Sequence, residues 1–101
     1  MQFIVYTRRG DSHGATIAGL IRALLSSRMV AGHVQLIDDP DLLRMNYISN
    51  VPTVMLDGSY ISSGYVPTRS ELETAIDRRQ QALALSRSVF ENTGDSRRWR
   101  R

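Results

Sequence analysis

The sequence predicts an α/β domain: a mixed four-stranded sheet, flanking helices and an extended C-terminal helix. Apolar, β-branched runs alternate with segments whose apolar residues recur every three or four positions. A crossover helix between the first two strands makes them parallel, and Asp57-Gly58, a pair suited to a tight hairpin, makes the last two antiparallel. The 101 residues suffice for one modest core and not for two.

The first run, Gln2 to Thr7, has little alternation and reads as a strand buried on both faces. Turn formers follow. Ile17, Leu20, Ile21, Leu24 and Leu25 then mark an amphipathic helix over residues 15–28, capped by Asp11 or Ser12 and ended by Gly32. Residues 33–37 form a short second strand, and Asp39 or Asp41 begins a brief helix through Leu42, Leu43, Met45 and Ile48. Residues 51–56 make the third strand, with Pro52 at its entrance or on an edge because it donates no ladder bond. Tyr60 and Ile61 make the fourth. Thr68 and Glu71 have capping-box spacing, and the helix behind them spans residues 69 to about 91, with Asn92, Thr93 and Gly94 as its stop. The third strand has the option of a place beside the first, a choice that propensity leaves open.

Charge and composition narrow the chemistry. Cysteine is absent, which excludes disulfides, thiolate nucleophiles, cysteine-ligated zinc and iron–sulfur clusters. All thirteen basic residues are arginine; residues 1–80 balance eight of them against eight carboxylates, while residues 81–101 set five against two. The net charge of +3 therefore belongs to the C-terminal end. No apolar run approaches the roughly 20 residues of a membrane span, and the N-terminal residues lack the basic start and long apolar stretch expected of a secretion signal. A cytoplasmic protein without a membrane partner or a cofactor is expected.

Tyr6-Thr7-Arg8-Arg9-Gly10-Asp11-Ser12-His13-Gly14 resembles the active-site segment of glutaredoxins, within the thioredoxin-like superfamily. Asn50-Val51-Pro52-Thr53-Val54 is similar to that family's segment with a cis-proline before the third strand. Asp57-Gly58, followed by Ile61-Ser62-Ser63-Gly64, resembles its turn and glycine-containing segment. The resemblance spans about residues 2–77 and implies a thioredoxin-like fold, with residues 1–80 as the domain and residues 81–101 as a helical extension and arginine-rich tail. It places the family's paired redox cysteines at Asp11 and Gly14. Thiol–disulfide exchange needs an attacking thiolate, which neither residue supplies, so the resemblance implies a redox-inactive member. Positions that help hold glutathione in that family fall on Arg8, Val51, Pro52, Ser63 and Gly64. Tyr65-Val66-Pro67 replaces the usual polar or acidic continuation, so a residual peptide-like groove is more credible than specific glutathione binding.

Asp11 with His13 has the makings of an acid/base pair or half a metal site, since a carboxylate can orient an imidazole that titrates near neutrality. The plainer reading is a helix cap beside an exposed histidine. Arg8 and Arg9 near a helix start suit an anion, or simply a soluble loop. The resemblance implies a core already complete near residue 77, so Ala82, Leu83, Leu85, Val89 and Phe90 suit a subunit or partner interface, or a helix folded back on the domain. Arg97, Arg98, Trp99, Arg100 and Arg101 join four cationic forks to an aromatic plate that suits a protein or assembly partner, or nucleic acid. The expected function is a non-enzymatic binding, structural or assembly module. Its alternatives are a glutathione-linked activity carried by Arg8, Ser12, His13 and the Pro52 groove, and nucleic-acid attachment through the tail.

Overall fold

A computed structural model describes the backbone of residues 1–96 and the side chains of residues 1–86. Its elements are β1 (Gln2–Tyr6), α1 (Ser12–Ser27), β2 (His33–Ile37), α2 (Pro40–Met45), β3 (Thr53–Leu56), β4 (Ser59–Ser63) and α3 (Arg69–Ser96). The sheet order is β2-β1-β3-β4. β1 and β2 are parallel, and β3 runs antiparallel to both β1 and β4. This is the expected thioredoxin-like α/β fold, with β3 beside β1.

Alternation along the central strands builds the core. Phe3 and Val5 of β1 and Val54 and Leu56 of β3 pack against Ile17, Ile21, Leu24 and Leu25 of α1 and Leu72 and Ile76 of α3. Each such side chain, when fully buried, contributes about 1.5–3 kcal/mol. Alternate residues of β1 turn to the reverse face of the sheet, and α2, with six residues, contributes none to the core. Ile4 is consequently half-buried, which corrects the expectation that the first strand is buried on both faces.

The first helix starts earlier and stops sooner than its apolar period suggests. Asp11 Oδ1 accepts from the His13 amide at 2.9 Å, so the helix begins at Ser12 and not at residue 15. It closes at Arg28, whose amide donates to the Leu24 carbonyl at 3.1 Å, and Met29 turns the chain at φ 54°. Gly32 is not its terminator. Arg28 also ties α1 to α3 through Glu73, at 3.1 Å, and Asp77.

The capping box forms as the spacing predicts: Thr68 Oγ1 accepts from the Glu71 amide at 3.1 Å, and Glu71 Oε1 accepts from the Thr68 amide at 3.0 Å. The helix then continues through Ser96, past the stop expected at Asn92, Thr93 and Gly94. A single glycine in a helix costs about 1 kcal/mol and leaves the hydrogen-bond ladder intact. After Ile76 the helix leaves the core, and every residue from Gln80 to Ser86 is exposed, with Leu83 at 43% and Leu85 at 66%. Among the described residues no helix is long and apolar enough to cross a membrane. Replacing the cap, Thr68→Ala, is expected to lower unfolding free energy by about 1 kcal/mol in urea titrations, with an unchanged slope.

Candidate functional site

Three segments converge at one end of the sheet. The Tyr6↔Thr53 pair sets the loop that follows β1 beside Pro52, and the Thr53↔Ser63 pair sets Ser63 and Gly64 on the other side of β3. The Val51–Pro52 bond is cis. Gly64 adopts φ 84° and donates its amide to the Pro52 carbonyl at 2.8 Å, while Thr53 Oγ1 donates to the Asn50 carbonyl at 2.6 Å. Pro52 is buried and Val51 half-buried; Arg8, Ser12, His13, Ser63 and Gly64 are exposed around them.

The loop after β1 is organised around Asp11. Its amide donates to the Arg8 carbonyl at 3.0 Å, and its carboxylate both caps α1 and lies 2.8 Å from His13 Nδ1. The hydrogen bond from the His13 amide, reinforced by the His13 ring and the Arg8 charge, holds the Asp11 carboxyl below the ordinary aspartate value of 3.8. Asp11 and His13 therefore do form a pair, but the aspartate is also engaged with the helix backbone. Among the described residues, no group of three histidine, cysteine, aspartate or glutamate side chains is placed to hold a metal ion.

Gly14 is buried in the first turn of α1, directly against Thr7. A Cβ at Gly14 would lie 2.7 Å from both Thr7 Cβ and Thr7 Cγ2, and 2.9 Å from Thr7 Oγ1. Thr7 is itself buried, and its hydroxyl has no hydrogen-bond partner in the structure. The strand end thus occupies the space into which any side chain at position 14 would project. Asp11 thus caps a helix, and position 14 is closed by packing.

The thioredoxin domain family matches residues 10–77, two thirds of the chain, and includes both α1 and the Pro52 segment. The chain belongs to the thioredoxin domain family. It is a thioredoxin-like domain without cysteines, so the family's thiol chemistry is closed to it. Comparison with curated proteins returns no match.

Leu83 is described and exposed on the outer part of α3. The side chains of Val89 and Phe90, and the tail residues Arg97, Arg98, Trp99, Arg100 and Arg101, lie outside the described residues. The cleft between β4 and α3 escaped sequence reasoning. Arg79 Nε donates to Asp57 Oδ2 at 2.7 Å, and the Gln2 amide donates to Asp57 Oδ1 at 2.8 Å. Partial burial raises the Asp57 carboxyl, but these two bonds outweigh it and leave the net shift downward. A turn residue and a helix residue far apart in sequence gave only opposite charges as a signal.

Because Asp11 titrates lower folded than unfolded, its ionised form contributes stability that is present above 3.8 and lost as pH falls through the folded value. Asp11→Asn keeps a capping oxygen without the charge. In urea titrations at several pH values, the parent's advantage over this variant is expected above pH 3.8 and to shrink as the carboxyl protonates. A difference independent of pH contradicts the role given to the carboxylate.

Proposed function

We propose that this chain is a glutaredoxin-like thioredoxin domain turned into a redox-inactive binding and assembly module, with residues 1–80 as the domain and residues 81–101 as its reaching arm. The observation that carries the reading is the outer part of α3. A helix whose core side chains end at Ile76 and whose ion pairs to the domain end at Arg79, and which then exposes Leu83 and Leu85 to water, keeps apolar surface that the domain's own core does not use. Val89 and Phe90 extend the same apolar composition in sequence, and the arginines with Trp99 add a cationic, aromatic end.

Assembly through α3 needs no thiol, whereas the glutathione-linked alternative requires a nucleophile from outside the protein. That alternative retains Arg8, Ser12, His13 and the groove formed by Val51, Pro52, Ser63 and Gly64. Nucleic-acid attachment through the tail retains the four arginines and Trp99, and would weaken steeply with salt. The apolar arm favours a protein partner, with a second copy of the chain as the simplest one.

Light scattering on the full chain tests this. The parent is expected to exceed its 11.4 kDa monomer mass, and Leu83→Asp with Leu85→Asp to return it to that mass with an unchanged circular dichroism spectrum. A parent that is monomeric across the concentration range, with or without these substitutions, contradicts self-assembly through α3.

A further inference from the structure

A cleft of about 520 Å³ opens between β4 and α3, away from the Pro52 groove. Ile61 and Ala75, both half-buried against the core, line it together with Thr74, Tyr60, Glu71 and Arg78. Its volume lies within the few hundred to about a thousand Å³ typical of ligand sites. β4 is the last strand of the sheet, and among the described residues no strand pairs with its outer edge. β4 bulges at Ile61, between the Val54↔Ser62 and Met55↔Tyr60 pairs, and on either side of that bulge its unpaired edge presents backbone donors and acceptors, the template for adding one more strand.

The cleft also has a direction. The Arg79–Asp57 bond brings the later turns of α3 to the start of β4, and the hydrogen bond that Tyr65 Oη donates to Glu71 Oε2, at 3.0 Å, brings the first turn of α3 to the end of β4. Helix and strand therefore run antiparallel along the cleft. From Glu71 to Arg79 the helix rises about 12 Å, and Ser59 to Ser63 spans about 13 Å of strand, so the two walls match in length.

The charges at the two ends differ. Arg79 is paired with Asp57, and Glu71 is held by the Thr68 amide and by Tyr65. Among the described residues, no carboxylate lies within ion-pair distance of Arg78. Arg78, with no carboxylate partner among the described residues, thus stands at the Ser59 end, while the acidic Glu71 stands at the Ser63 end. A strand added antiparallel to β4 finishes beside Arg78 and begins beside Glu71.

We propose that this cleft takes the C-terminal end of an extended peptide, added antiparallel to β4 as a fifth strand with its terminal carboxylate on Arg78. Alternate side chains of the added segment meet Ile61 and Ala75, which selects apolar, β-branched residues there. A basic residue at the start of the segment meets Glu71. This chain's own end, Arg100-Arg101, is a poor occupant because it brings two further cations to the Arg78 end. The inference rests on the reading of the chain as a binding module and assigns one partner chemistry to it.

The probe is the pentapeptide Lys-Thr-Val-Thr-Val with fluorescein at its N-terminus, titrated against the full chain by anisotropy and compared with the same peptide ending in an amide. The free acid is expected to bind about tenfold or more tightly than the amide, because the lost partner is a charge-assisted hydrogen bond. Arg78→Gln, an exposed substitution whose fold circular dichroism verifies, is expected to remove that difference. Amide resonances are expected to move at Ser59, Tyr60 and Ile61. Absence of binding up to about 1 mM overturns the proposal. So does equal affinity of acid and amide, an unchanged preference in Arg78→Gln, or resonance changes centred on Asp11, Val51 and Gly64. A chain that refuses the peptide yet still assembles through Leu83 and Leu85 overturns the cleft alone. A monomeric chain that takes it at Arg78 overturns assembly through α3 and leaves the cleft standing.

Discussion

Gly14 lies so close over Thr7 that the first turn of α1 rests directly on the end of β1. With the helix seated this low, Ile17, Ile21 and Leu24 join Phe3 and Val5 in one buried cluster. The same seating determines where Asp11 stands: one residue before the helix, with its carboxylate on the His13 amide. Gly14 is thus committed to packing and Asp11 to capping. Both are structural uses, and both follow from one close approach.

What the scaffold leaves over is surface. The convergence of the loop after β1, Pro52 and Gly64 survives because strand pairing holds it, independently of any thiol. The far end of α3 is apolar and exposed because the sheet is only four strands wide and its core is filled by Leu72 and Ile76. The open edge of β4 has a related origin, since the helix that covers the sheet stands off it far enough to leave a cleft.

The local elements were legible in the residues. Residues 33–37 form β2 as expected, Asp57 and Gly58 make the turn with φ values of 47° and 87°, and Thr68 with Glu71 forms its box. Each depends on contacts within a few positions. The start of α1 was missed because Ser12, His13 and Gly14 are weak helix formers, and the cap with the tertiary seat outweighs that weakness. Gly94 misled for the opposite reason, since one weak residue does not end a helix. In the candidate site, the resemblance points to the segments that the sheet brings together, and of the two caps expected, Asp11 and Ser12, the structure uses Asp11. Thr7 and the Asp57–Arg79 pair were invisible, because their roles depend on residues far away in sequence that only the folded sheet and helices bring near.

The most direct test is the urea unfolding free energy of Gly14→Ala. In a helix with open space at that position, the exchange raises stability by up to about 1 kcal/mol through propensity alone. The closed contact with Thr7 predicts the reverse sign, a loss of about 1–3 kcal/mol from overpacking. A variant as stable as the parent, or more stable, would show that the space above Thr7 is open and that position 14 is not closed by the fold.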